Sequence, residues 1–457
     1  MLIIISDLHL GDGTCGRSIS ASAFNLFTDR LRELARNASF RADGRYEPIS
    51  NVDILMLGDI LEVLHSTLWL DTQAGQPGYV RPWTDFRAPE FAAKVDEITT
   101  AILEKNRESI NILHRLTEPG GLTLPPVNKS GKPDEDARKR HPVRVHLHYM
   151  VGNHDWFYHL PGAAFNRIRG RIINSMGLAN SSRRFPHDIN ESGADWLSTL
   201  LSQYHVYARH GDIYDSFNFN QDRDRASIGD VFAVEILNRF AYEAARKFML
   251  QLPAPLLASL SELVNVRPAL ATPLWISSQL RQNEVPEKDR EALKDLWDGI
   301  CRDFLELDPV RKADKKRKLD LVDWFKLGIT VTDTVSFKTL DDLVVWVRKK
   351  FWPDDEIKFS TYALKEKAFQ EEAAQFIVYG HTHHHEVVPL DDIPAAPVPT
   401  SQLYMNCGTW HTYFDLAIYK PREQKFVPYQ VLSYLTFFAG DERGGRRFET
   451  WSGAFSE

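Results

Sequence analysis

Cysteine is scarce in this chain, with Cys15, Cys301 and Cys407 the three among 457 residues. An odd, sparse count excludes a disulfide framework and makes a reducing compartment the simplest reading. Long apolar runs are missing too, since none reaches the ~18 residues of a membrane-spanning helix. Neither sign of charge dominates: 55 Lys and Arg face 62 Asp and Glu, for a formal charge of −7. That balance excludes a global attraction to nucleic acid and leaves only local basic patches to supply one. No internal repeat is evident, which sets solenoids and propellers aside. The rest of the composition, 43% hydrophobic and 26% charged, is ordinary for a globular protein, and the length exceeds that of one usual domain.

Five short motifs stand out against this plain background, each close behind an apolar run. The runs are residues 2–5, 52–57, 143–151, 204–208 and 375–379, the first of them rich in the β-branched side chains that suit a buried strand. Behind them come Asp7-Leu8-His9, Gly58-Asp59, Gly152-Asn153-His154-Asp155, His210-Gly211-Asp212 and Gly380-His381-Thr382-His383. Open α/β sheets place their ligands just past strand ends, so the pattern predicts one site fed by five strands. Alternate residues of a strand share a face, so Asp7 and His9, like His381 and His383, point the same way if the chain stays extended there. Carboxylate, imidazole and amide oxygen make a mixed ligand set compatible with manganese, iron or zinc. The absence of cysteine argues against a purely structural zinc site.

Singly, each motif is weak, because an Asp-x-His or a lone His arises by chance in any chain of this length. Composition gives no reason for strand-then-ligand to recur five times. As a set, the motifs resemble the signature of the calcineurin-like metallophosphoesterase superfamily. The resemblance implies an α/β fold of the α+β type, a two-sheet metallophosphoesterase sandwich flanked by helices. It implies Asp7, His9 and His383 as ligands of one metal, Asn153, His210 and His381 as ligands of the other, and Asp59 as the bridge. The expected cofactor is a pair of divalent ions, manganese first, with iron or zinc as alternatives. Two ions about 3.5–4 Å apart can hold a bridging hydroxide as nucleophile and stabilise an in-line phosphoryl transition state. His154, left without a metal by the pattern, is expected to contact the phosphate and protonate the leaving oxygen. Family members orient this His with an acidic residue three positions after the bridging Asp, here Glu62. The stretch Asn406-Cys407-Gly408-Thr409-Trp410 resembles the strand end that follows the last His motif in the superfamily.

Other residues near the motifs have plainer readings. His384 and His385 follow the turn and are read as solvated or supporting, and His146 and His148 alternate along the third strand on one face. Asp12 and Asp212 lie close enough in sequence to accept hydrogen bonds from the ligand imidazoles, Asp212 being preferred.

The gaps between motifs give the organisation. Helices are expected at residues 21–36, 90–116, 230–250, 288–305 and 340–351, with an exposed loop at 119–142. The largest gap, 171 positions from His210 to His381, predicts a largely helical insertion over 216–365, read as a cap or lid. The catalytic core is then 1–215 and 366–435, with a C-terminal tail at 436–457. The basic run 311–318 reads as a solvated face, with a phosphate, lipid-headgroup or nucleic-acid contact as the alternative.

The expected activity is hydrolysis of a phosphomonoester, phosphodiester or pyrophosphate by a binuclear metal-dependent enzyme. The helical insertion between the last two motifs is similar to that of UDP-2,3-diacylglucosamine hydrolases, although many of those carry Arg where this chain has His154. Gly-Asn-His-Asp is shared with nucleases of the SbcD type, and a non-catalytic metal-binding scaffold is a third alternative. The expected partner is a phosphate-ester substrate, small or lipid-linked, with nucleic acid less favoured. Cleavage of a leader would remove the first candidate ligands, so the cytoplasm, or the membrane periphery facing it, is the expected location.

Overall fold

The computed structural model describes residues 1–267, 269–317, 359–393, 400–417 and 425–454. Thirteen strands lie among them. β1 (Leu2–Ile5), β2 (Asn51–Leu57), β3 (Leu122–Leu124) and β4 (His141–Met150) precede the fourth motif, which follows β5 (Val206–Ala208). β6 (Val266–Arg267) lies in the insertion. β7 (Phe376–Tyr379), β8 (His385–Ile393), β9 (Thr400–Cys407), β10 (Tyr413–Leu416), β11 (Phe426–Tyr429), β12 (Val431–Phe437) and β13 (Phe448–Ala454) complete the chain.

Two sheets make the sandwich. One has the order β13-β12-β1-β2-β4-β3, with β1, β2 and β4 parallel, and the other has the order β5-β7-β9-β8, with β5, β7 and β9 parallel. The unbroken apolar sequence of β1 follows from burial on both faces, as parallel strands require. Leu2 and Ile4 point into the layer between the sheets, where Leu55, Leu57, Met150, Val206, Ile377 and Tyr404 join them. Ile3 and Ile5 point the other way, toward Phe24, Phe27 and Leu31 of the helix Ala21–Ala38 and toward the helix Pro89–Lys105. The fold is thus the mixed α/β, metallophosphoesterase-like sandwich flanked by helices.

Some expectations shift. The helix expected over 90–116 is two helices, Pro89–Lys105 and Arg107–Thr117, broken at Asn106, whose side-chain amide donates to the carbonyls of Ile102 and Gly11. The 119–142 loop contains β3, which pairs antiparallel with the start of β4. Residues placed in the C-terminal tail form β13, which pairs along its whole length with β12 at the edge of the six-stranded sheet.

The described part of the insertion is largely helical and has its own core of Phe232, Phe240, Leu263, Trp297, Cys301 and Phe304. Its first long helix, expected over 230–250, runs from Ile228 to Phe248 but carries a π-helical segment at Ala233–Asn238. The helix Glu287–Glu306 matches its expectation, and the one expected over 340–351 lies outside the described residues. β6 leaves the helical body and pairs with β10, building a third sheet in the order β11-β10-β6. Among the described residues no helix is long and apolar enough to cross a membrane.

Candidate metal centre

β1, β2 and β4 of one sheet and β5 and β7 of the other deliver all five motifs at their C-terminal ends, so the two sheets converge on one buried cluster. The side chains do not converge by strand alternation. Asp7, His9, Asp59, His381 and His383 all have positive φ, between 47° and 68°, so the chain has left the extended conformation where the sequence reading kept it. Left-handed backbone at non-glycine residues costs of order 1 kcal/mol or more each and persists where surrounding structure enforces it, as at functional sites. Enforcement here comes from main-chain bonds between the first two motif loops, Asp7 N–H to Gly58 O (3.1 Å) and His9 N–H to Asp59 O (2.9 Å). Glycine is required where the loops meet. A Cβ on Gly58, at φ +88°, would lie 2.5 Å from His210 Nδ1, and one on Gly152 would strike the Asp59 carboxylate and the His210 ring.

Two closely spaced groups result. In the first, His9 Nε2 and His383 Nε2 are 3.1 Å apart, and Asp7 Oδ1 lies 3.8 and 3.3 Å from them. In the second, Asn153 Oδ1 lies 3.2 Å from His210 Nε2 and 2.9 Å from His381 Nδ1. Asp59 Oδ2 stands between the groups, 3.1 Å from His210 Nε2 and 4.0 Å from His9 Nε2, while its Oδ1 accepts the His154 main-chain N–H. All seven expected ligands come together, and Asp7, His9, Asp59, Asn153, His210 and His383 are buried.

The donor set fits a pair of cations. The far nitrogens of three imidazoles are engaged elsewhere: His9 Nδ1 with Glu62 Oε2 (2.7 Å), His210 Nδ1 with Leu57 O (2.9 Å), and His381 Nε2 with Asp215 Oδ2 (3.2 Å). Each then turns its other nitrogen to the centre, the arrangement by which metal-binding histidines are oriented. Asp7 Oδ1 is buried without a hydrogen-bond partner, an oxygen that needs a cation. The field is negative as well. Burial opposes the charged imidazole, yet Asp7 and Glu62 raise His9 to about 10, and Asp59 with Asp7 raises His210 to about 10. Burial and the Arg267 charge instead push His383 down to about 3, so neighbouring imidazoles do not hold protons alike. Bound cations take the place of such protons.

His154 and Glu62 form a pair at the rim. Glu62 bridges the two imidazoles, bonding His9 Nδ1 through Oε2 and lying 2.8 to 3.0 Å from His154 Nδ1. Burial lowers the His154 pKa and the Glu62 and Asp59 charges outweigh it, so the net shift is upward.

The carboxylate supporting His381 is Asp215, not Asp212 or Asp12. Asp212 is taken by Arg223 at 2.7 Å, which also donates to Gly152 O, and Asp12 accepts from Thr14 and Ser66. Motif spacing could not show this, because Arg223 arrives from the insertion. His384 is exposed, and His146 and His148 both approach Asp53 at 3.3 and 2.9 Å, sharing a face as expected. Sequence reasoning also missed the inner lining. His65 bonds Asn238 Oδ1 (3.0 Å), His411 bonds Asn265 Oδ1 (2.7 Å), and Arg267 joins His9, Glu62, His65 and His411 around a small cleft.

Two clusters of buried His and Asp side chains, of the kind that hold a binuclear centre in phosphoesterases, therefore sit in a calcineurin-like metallophosphoesterase fold and support a metal-dependent hydrolase in general terms. Comparison with protein-family models, with curated proteins and with solved structures gives no match, so the likeness is one of architecture and clustered side chains.

Proposed function

We propose that the protein is a binuclear metal-dependent phosphoesterase acting on a phosphomonoester, phosphodiester or pyrophosphate, small or lipid-linked. The observation that carries this reading is Asp59 Oδ2 standing between two His-bearing groups whose remaining donors face inward. Asp7, His9 and His383 would hold one ion, Asn153, His210 and His381 the other, and Asp59 both. Manganese suits this oxygen-and-imidazole set best, with iron and zinc as alternatives. Two divalent ions held there supply positive charge for the phosphoryl oxygens and lower the pKa of water.

The chain's own groups do the rest. His154, protonated through its contact with Glu62, is placed to donate to the leaving oxygen, and Glu62 fixes which nitrogen faces the substrate. Arg267, brought by the insertion to the cleft beside His9 and Glu62, offers a guanidinium to a substrate phosphate. The insertion serves as a cap, since Asn238, Asn265 and Arg267 all reach the inner lining from it. We place the protein in the cytoplasm or at the membrane periphery facing it.

Hydrolysis of bis-p-nitrophenyl phosphate tests the reading. Chelator-stripped protein should be inactive and manganese should restore turnover. No hydrolysis with manganese across nucleotides, UDP-linked sugars, phosphomonoesters and DNA would overturn it.

A further inference from the structure

A second polar cluster lies away from the binuclear centre, where the loop after the third motif meets the chain entering the insertion. His159 closes the short 3-10 helix Trp156–His159, His187 and Glu191 lie in the loop before the helix Asp195–Ser202, and Asp224 lies in the loop before the helix Ile228–Phe232. His159, His187 and Glu191 each offer one donor atom, and these three atoms lie within 4.8 Å of one another. The separations are 3.8 Å from His159 Nε2 to Glu191 Oε2 and 2.8 Å from His187 Nδ1 to Glu191 Oε2. Asp224 Oδ1 also lies 3.9 Å from His159 Nε2.

Three observations point to a ligand rather than to a closed hydrogen-bond network. His159 is buried, its side chain 5% exposed, and its Nδ1 lies 2.9 Å from Phe185 O. A carbonyl only accepts, so Nδ1 carries the hydrogen and Nε2 of the neutral ring turns a lone pair toward two carboxylates, a repulsive arrangement without a cation between them. Asp224 Oδ1 is buried without a hydrogen-bond partner, and His187 Nδ1, though 2.8 Å from Glu191 Oε2, is not aligned with it as a hydrogen bond. Glu191 is already oriented, its Oε1 accepting the His187 main-chain N–H at 3.1 Å while Oε2 faces the rings. A backbone carbonyl on the far nitrogen of one His and a main-chain donor on the spare carboxylate oxygen are the supports that metal ligands carry.

Arg184 is the competing cation. Its Nη1 lies 3.4 Å from His159 Nε2 and its Nη2 lies 3.2 Å from Asp224 Oδ2, but the side chain is 44% exposed and can move aside. Two imidazoles and two carboxylates are the N and O donor types of four-coordinate zinc, whose bonds of about 2.0–2.2 Å put donors roughly 3.3–3.6 Å apart, so the two longer spacings would close slightly and the His187–Glu191 spacing would open.

We propose that His159, His187, Glu191 and Asp224 form a third metal site, structural in role and suited to a divalent ion of zinc's class. It fastens the segment after Asn153 and His154 to the loop that carries Arg223, which itself bonds Gly152 O and Asp212. The site is independent of the phosphoesterase reading.

Metal counting on the full chain decides it. Chelator-stripped protein is reloaded with zinc, freed of excess and measured by elemental mass spectrometry, for wild type, His187→Gln/Glu191→Gln, and Asp7→Ala/His381→Ala. The expected counts are three equivalents in wild type, two in the first variant with an unchanged circular-dichroism spectrum, and at least one in the second. Replacing zinc by cobalt in the second variant should show the visible absorption of a four-coordinate site. If the first variant fails to fold, the isosteric Glu191→Gln alone serves, and loss of one equivalent supports the site. Equal zinc content in wild type and the cluster variants, or a metal-free Asp7→Ala/His381→Ala variant, would overturn it and leave Arg184 as the only cation there.

Discussion

The motif loops and the helical insertion obey different physics, although they meet at one cleft. Around Asp7, Asp59 and His381 the chain accepts left-handed backbone and buries polar groups, and neighbouring loops hold those groups in place. Within the described part of the insertion the helices bury an apolar core of their own, while side chains such as Asn238, Asn265 and Arg267 extend to the site. The first region spends stability on geometry, while the second supplies it through ordinary packing. A site of this kind can keep its ligands while its cover changes.

That contrast can be broken most forcefully at the shared carboxylate. Asp59→Asn should lower kcat on bis-p-nitrophenyl phosphate by about 10³-fold or more, the scale seen when a group central to charge stabilisation is lost, with the circular-dichroism spectrum retained. Near-normal turnover would show that the central placement of Asp59 does not matter. Replacing His154 by Gln should cost about 10²–10⁴-fold on substrates with alkyl leaving groups and much less on nitrophenyl esters, whose leaving groups need no proton. Equal losses on both classes would assign His154 to binding instead.

A cut on the other side sharpens the comparison. Phe304→Ala, in the fully buried core of the insertion, should destabilise that region by about 3–5 kcal/mol, as large-to-small core changes do. If the two regions are separable, the two ions assigned to the binuclear centre are retained at a temperature where the insertion has melted. A parallel loss of metal would make them one cooperative unit.

The smallest effect is expected at the edge of the sandwich. Burial raises the Asp53 carboxyl pKa, but the His148 contact and the His148 and His146 charges outweigh it, so the net shift is downward. The folded state then binds fewer protons than the unfolded one below the ordinary carboxylate range, and the stabilisation is present above that range and lost as pH falls through the folded value. Asp53→Asn should therefore lower Tm slightly at pH 7, with the difference shrinking below about pH 4. A difference that did not change with pH would place its origin in packing.

How much of this was legible in the sequence follows the same division. The strands behind the motifs, and the gathering of seven polar side chains past their ends, could be read, because a buried parallel strand leaves an apolar run and the motifs follow it directly. The conformation that aims those donors could not, since positive φ at Asp7 or His9 has no local signature when glycine is absent. Nor could Arg223, Asn238 or Arg267, whose roles depend on where an insertion folds back. The helix break at Asn106 depends on Gly11 O, a partner 95 positions away. β13 was missed because the run Phe448-Glu449-Thr450-Trp451 alternates too briefly to be distinguished from an end segment without its partner β12.

The π-helical segment at Ala233–Asn238 has a consequence for how the insertion is mounted. A wider turn accommodates one residue more than an α-helix would over the same rise, and such bulges often occur at functional sites. Forcing all six residues into regular α winding, with none removed, would turn its two halves relative to each other by about 100°. Glu235 would then lose Arg81, and Asn238 would lose His65 and Leu64, while the apolar stripe beyond Arg239 kept its place. The bulge thus works as a phase adjuster, letting one rod face the cleft beside His65 along part of its length and its own hydrophobic bundle along the rest.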